Sequence, residues 1–128
     1  MTTGSDWYRD VCTRANLMVI GPDDPTDAFL KAVQPHLREP VAVLRGGEPL
    51  ALPTRPVGTL ILINLWALTP AEQRQLHESL DDRLSGAQVI STSTTCLMPM
   101  VATGSFHGRL YYRLNTIYID VTPCPSGP

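Results

Sequence analysis

The sequence predicts an α/β domain, a three-layer sandwich with a mostly parallel five-stranded sheet. Two observations carry that prediction. Short apolar runs closed by turn residues recur at NLMVI, VAVLR, GTLILI, QVIST and TIYID, the pattern of strands buried on both faces. Helical segments alternate with strands along nearly the whole chain, which is how a parallel sheet covered on both sides is built. The length of 128 residues fits one compact domain, long enough to bury about two-thirds of its unfolded surface without staples.

The first strand is read at Asn16 to Ile20, stopped by Gly21-Pro22. In the following DDPTDAFLKAVQPHL, Asp24 is the expected N-cap, Pro25 the first helical residue and Asp27 a first-turn acid favoured by the helix dipole. Phe29, Leu30, Val33 and Leu37 recur at helical spacing, and Pro35 ends or kinks the helix near Val33 to Gln34. Val41 to Arg45 is the second strand, and the Gly- and Pro-rich GGEPLALPTRP after it is a loop. The stretch GTLILINLWALTPAEQRQL supplies the third strand and then a capping box, Thr69-Pro70-Ala71-Glu72. That helix turns Leu76, Leu80 and Leu84 inward and is expected to stop at Gly86. Strand four is Gln88 to Thr92, a short helix begins near Ser105, and strand five is Thr116 to Asp120. Residues 1–14 form an N-terminal extension, 15–122 the domain and 123–128 a proline-rich tail.

The formal charge of −2 gives no overall basic field to hold a phosphate backbone, so direct nucleic-acid binding is not expected. Basic residues are nine arginines against the single Lys31. Cys12, Cys96 and Cys124 are odd in number, far apart and without metal spacing, as expected of reduced thiols in a cytoplasmic protein. Cys96 is expected to be at least partly buried. No apolar run approaches the ~18 residues of a spanning helix, and MTTGSDWYRD lacks the order of a signal peptide. No membrane partner follows. His36, His77 and His107 lie far apart in sequence with no paired ligand spacing, and Trp66, just after a buried strand, is expected to pack.

Two stretches carry a resemblance to a known family. GSFHGRLYYRLNTIYIDV resembles the end of the AAA+ domain of sigma-54-dependent transcription activators, with its phenylalanine, leucine, paired aromatics and Arg-Leu-Asn leading into the last strand. GTLILINLWALTPAEQRQL is similar to the same family's Walker B strand and the helix after it, and QVISTST falls where that family has its sensor strand. The resemblance implies a P-loop NTPase-like AAA+ core without the lid, running from about Asn16 to Val121, with ANLMVIG as the phosphate-loop strand.

The departures from the family pattern concern its chemistry. Where the resemblance implies a glycine-rich loop ending in Lys and Thr or Ser, this chain has Gly21-Pro22-Asp23-Asp24-Pro25-Thr26-Asp27. Asp27 takes the lysine's place. A phosphate needs backbone N–H groups and a cation around it; three carboxylates oppose that, prolines remove donors, and Asp24 as a cap would occupy the free amides. The family's two magnesium-holding acids align with Ile63 and Asn64, a neutral pair that cannot hold the metal or polarise water. Asn64 is instead expected to hydrogen-bond loop backbone at the strand end. The sensor asparagine aligns with Thr94.

Of two arginines that the family directs across a subunit interface, the first position matches His107 and the second Arg113, while Arg109 stands where an acid is usual. These three are the interface candidates. Arg113 has a second reading, a structural arginine paired with a carboxylate such as Asp120. Leu110, Leu114 and one of Tyr111 and Tyr112 belong to the core. The family's sigma-contacting insertion is replaced by GGEPLALPTRPV, and its lid and helix-turn-helix are not in the sequence.

The expected function is a non-catalytic regulatory or protein-interaction module of the sigma-54-activator type, without cofactor or metal, acting through a homo-oligomer or an AAA+ activator. The alternative is a weak nucleotide sensor or ATPase-like enzyme using Arg45, Arg113 or the Ser/Thr cluster STSTT. A receiver-like module is third, because its phosphorylatable aspartate would stand where Ile63 and Asn64 do.

Overall fold

In the computed structural model, residues 11–122 are described. The extension's residues 1–10 and the proline-rich tail 123–128, with Trp7, Tyr8 and Cys124, lie outside them. The five strands are β1 (Leu17–Ile20), β2 (Val41–Arg45), β3 (Thr59–Ile63), β4 (Gln88–Ser93) and β5 (Ile117–Asp120). They form one sheet in the order β2-β3-β4-β1-β5, and every pairing is parallel. The right-handed crossovers of such a sheet need helices on its faces, and these are α1 (Asp23–Val33), α2 (Pro70–Leu80), α3 (Met98–Thr103) and α4 (Gly108–Leu114).

Side-chain alternation along the strands splits the interior in two. On one face Phe29, Val33 and Leu37, from α1 and the turn after it, meet Leu17, Val19, Ile61, Ile90 and Ile119. On the other, Leu76, Leu80, Leu84, Phe106, Leu110 and Leu114 meet Met18, Leu60, Leu62 and Val89. The central strand β4 is buried throughout. Its Ser91 is fully buried, and the hydroxyl has no hydrogen-bond partner among the described residues. An unpaired buried hydroxyl destabilises, so Ser91→Ala is expected to raise stability by about 1 kcal/mol in chemical denaturation. A loss of similar size would show that the hydroxyl is bonded.

Several elements differ from the sequence expectations. Asp24 does not cap α1: the helix starts two residues earlier, at Asp23 rather than Pro25, Pro22 holds the N-cap position with extended backbone, and no side chain caps it. Asp23 and Asp24 sit in the first turn, where they meet the dipole by charge alone. Pro25 is tolerated there because the first four N–H groups have no helical partner. The expected break at Pro35 is present, as a 3-10 turn over Gln34–His36. Helix α2 opens with the full capping box, Thr69 Oγ1 accepting from Glu72 N–H and Glu72 accepting from Thr69 N–H. It ends at Leu80 rather than Gly86: the Leu84 N–H donates to Ser79 O at 2.9 Å, so the chain leaves the helix in a wider turn that still buries Leu84. Helix α3 has no counterpart among the expected elements. It has no buried residue and ends on Gly104 with φ 84°, so it lacks the apolar periodicity that reveals a helix. Helix α4 begins at Gly108 rather than near Ser105, after His107 as its N-cap.

Trp66 and Cys96, expected to pack, are exposed. Trp66 belongs to a 3-10 turn, Leu65–Ala67, that buries Leu65 and turns the indole outward.

Candidate functional site

At the carboxyl edge of the sheet, where a doubly wound fold places its ligands, lies a cleft of about 220 Å³. Its lining joins Gly21, Asp23, Thr26 and Asp27 after β1, Arg45 at the end of β2, Ile63 and Asn64 at the end of β3, and Thr92, Ser93 and Thr94 from β4. The residues aligned with the phosphate loop, the two acids and the sensor, widely separated in sequence, thus share one site. Two carboxylates face one guanidinium there.

The loop after β1 is held by its own chain. Gly21 N–H donates to Ser93 O at 3.1 Å, and Thr26 Oγ1 donates back to Gly21 O at 3.3 Å. A Cβ on Gly21 would lie 2.6 Å from Val121 Cγ2, so this glycine is required by close packing against the segment after β5. The prolines at 22 and 25 bring no N–H to the loop.

Asn64 ends β3 in the left-handed region, with φ 60° and ψ 55°, a conformation that asparagine tolerates better than most residues. The expected side-chain bond to loop backbone is replaced by bonds of its own backbone. Its N–H donates to Thr92 Oγ1 at 3.3 Å, and its carbonyl accepts from Ala67 N–H at 3.0 Å. Gly46 packs onto that carbonyl, donating its N–H to Ile63 O at 2.7 Å. Ser93 Oγ donates to Thr95 O at 2.6 Å and closes a tight turn, which leaves Thr94 exposed on the cleft wall.

The interface candidates lie on and beside α4. His107 caps it: Nδ1 accepts from Leu110 N–H at 3.2 Å, so the proton of the neutral ring sits on Nε2. Arg109 is exposed. Arg113 pairs with Asp81, not Asp120, and donates to Leu80 O at 2.6 Å. It satisfies one of the free carbonyls at the end of α2, where a cation is favoured. Asp120 accepts instead from Thr122 N–H at 2.8 Å. Leu110, Tyr111 and Leu114 are core and Tyr112 is exposed. Burial pushes the Tyr111 and Tyr118 phenols above their ordinary value, so both stay neutral.

The hydrogen bond from Arg113 holds the Asp81 carboxyl below its usual 3.8, against an opposing desolvation and with help from the guanidinium charge. A carboxylate depressed in the folded state contributes stability above its unfolded pKa and loses it as pH falls through the lower folded value. In Arg113→Ala, Asp81 is expected to titrate at its ordinary value by NMR, and that acid-side contribution disappears. An unchanged Asp81 titration would show that the pair is not formed in solution.

One buried polar residue had no assigned role in the sequence. Gln73 Nε2 donates to Leu68 O at 3.0 Å and Ser105 O at 3.2 Å, and Oε1 accepts from His107 N–H at 2.8 Å. It ties α2 to the turn before α4. Its signal was its position three residues before Leu76 and seven before Leu80, on the apolar face. The same junction sets the His77 and His107 rings 5.1 Å apart, a proximity their spacing in sequence does not reveal. Among the described residues no group of three metal-ligating side chains converges, and no helix is long and apolar enough to cross a membrane.

Solved structures share this architecture. NtrX from Brucella abortus in complex with ATP matches with a TM-score of 0.72 and 18% identity, over 92% of this chain and 35% of that one. The ADP complex gives 0.70 and 19%, over 92% and 34%. A further NtrX crystal structure gives 0.66 and 16%, over 94% and 37%. The chain thus spans about a third of the length of these structures, and at such identities they establish the fold. No curated protein matches. The sigma-54 interaction domain matches residues 48–124, more than half of the sequence and inclusive of both stretches that carried the resemblance, and the chain therefore belongs to the sigma-54 interaction domain family.

Proposed function

We propose that this chain is a non-catalytic member of the family, a regulatory or protein-interaction module that neither binds nor hydrolyses ATP. One observation carries the reading: Asp23 and Asp27 line the same cleft as Ile63, Asn64 and Thr94. Carboxylates thus stand where the family resemblance implies a phosphate-binding lysine, and neutral side chains where it implies metal-holding acids. Bringing polyphosphate beside Asp23 and Asp27 adds like-charge repulsion that Arg45 offsets only in part. A divalent ion would find no carboxylate at the end of β3 to hold it. NtrX is described with ADP and with ATP; the proposal is that this chain keeps that fold and has lost that ligand. The module acts in the cytoplasm through protein contacts, with a second copy or an AAA+ activator.

Isothermal titration calorimetry with ATP and magnesium tests this. No binding is expected at a Kd below about 100 μM, roughly −5.5 kcal/mol; tighter binding would overturn the reading. The alternative, a weak nucleotide sensor, is favoured by the entry of Arg45 into the cleft beside Thr92, Ser93 and Thr94. ATP binding that is lost in Arg45→Ala would establish it.

A further inference from the structure

The charged groups that oppose polyphosphate in the cleft stand in a definite order. Arg45 ends β2, and the loop into α1 follows β1, three strand intervals away in the sheet. At roughly 4.8 Å per interval, those backbones lie about 14 Å apart. Asp23 and Asp27, four residues apart on α1, share one face of that helix, and both line the cleft. One guanidinium therefore stands at one end and two carboxylates at the other. None of the three forms an ion pair or a side-chain hydrogen bond among the described residues.

Two neutral groups lie between those ends with hydrogen-bonding capacity unused. Thr92 lines the cleft, is 2% exposed and accepts from Asn64 N–H at 3.3 Å, while its own hydroxyl proton has no acceptor among the described residues. A donor held in so buried a residue calls for an acceptor inside the cleft. The bonds of Asn64 are those of its backbone, and its carboxamide is free among the described residues.

We propose that the cleft binds a free basic amino acid of the L-arginine type, its carboxylate held by Arg45 and the Thr92 hydroxyl and its cationic side chain held by Asp23 and Asp27. The charges match. Two carboxylates and one guanidinium give the lining a formal charge of −1, and such a ligand, with one carboxylate and two cationic groups, carries the opposite charge. Arg45 can take a carboxylate in bidentate form. A guanidinium on the ligand offers N–H donors in a planar fork, enough for both aspartates, and the Asn64 carboxamide offers an acceptor to the α-ammonium group. A cleft of about 220 Å³ is smaller than the roughly 300–1,000 Å³ that drug-sized ligands occupy, which suits a molecule of amino-acid size. Glycine would carry its two charges too close together to reach both ends. This inference rests on the reading that the cleft has lost ATP, and it gives the same site a ligand.

Isothermal titration calorimetry of the full chain with L-arginine tests it, and a Kd below about 1 mM is expected. Agmatine, which lacks the carboxylate, and L-citrulline, which lacks the side-chain charge, should each bind about tenfold more weakly. Arg45→Ala and Asp27→Asn, both at exposed positions, should each weaken L-arginine binding about tenfold, with folding checked by circular dichroism. The first should leave agmatine binding unchanged and the second L-citrulline binding. A weaker Kd, equal affinity for the three ligands, or indifference to either variant would overturn the proposal. Silence toward both L-arginine and ATP overturns this proposal and leaves the loss of ATP standing; L-arginine binding beside tight ATP binding does the reverse.

Discussion

Gly46→Ala is expected to destabilise the protein by about 3 kcal/mol. A Cβ at this position would lie 2.1 Å from Asn64 O and 3.2 Å from Asn64 C, and both are backbone. Asn64 cannot retreat easily. Its N–H is held by Thr92 and its carbonyl by Ala67, and its left-handed backbone is already a sparsely populated state. Relief therefore requires the ends of β2 and β3 to part, breaking the bond from Gly46 N–H to Ile63 O. Gly47→Ala is the control. There φ is +90° and the nearest contact is Ala67 Cβ at 3.9 Å, so only the backbone penalty of about 1–2 kcal/mol is expected. Urea denaturation of both variants checks the difference. A cost at Gly46 no larger than at Gly47 would show that the strand ends slide freely.

Gln73→Glu should cost about 4 kcal/mol at neutral pH. The amide is 2% exposed, and its nitrogen faces two carbonyls, Leu68 O and Ser105 O. A carboxylate keeps the bond from His107 N–H but sets a negative oxygen against both of those acceptors in a buried site. Both effects disfavour ionisation, so the folded pKa of the introduced acid is raised above its unfolded value near about 4.3. The sign follows: the charge penalty is full at pH values above the raised folded pKa, and it recedes as pH falls toward the unfolded pKa. Denaturation midpoints for both proteins at neutral pH and near pH 5 should therefore converge on acidification. A pH-independent gap would mean that the loss comes from the missing donors alone.

Elements whose cause is local were legible in the chain. Strands over Leu17–Ile20, Val41–Arg45 and Thr59–Ile63, and the capped start of α2, follow from apolar runs, turn residues and a capping box. The positions expected to form one site do line one cleft, because all strands run parallel and so end at the same edge of the sheet. Less legible were features set by contacts distant in sequence. Asp24 reads as a cap, yet a helix start two residues earlier leaves it in the first turn. Arg113 reads as a partner for Asp120, seven residues away, but reaches Asp81 and the end of α2. Helix α3 has no buried side chain to give it a period, and Trp66 shows that a bulky residue after a buried strand can be turned out by one 3-10 turn.

By itself the sequence determined the strands, the helices with an apolar face, the family and the chemistry of the cleft residues, since alternation, capping and charge are properties of neighbours along the chain. Only the tertiary structure decided which carboxylate takes Arg113, where Gln73 makes its bonds, why Gly21 and Gly46 admit no side chain, and that Arg45 shares a cleft with Asp23 and Asp27. Each of those depends on the approach of segments far apart in sequence, and that approach is fixed when the two faces of the sheet are packed.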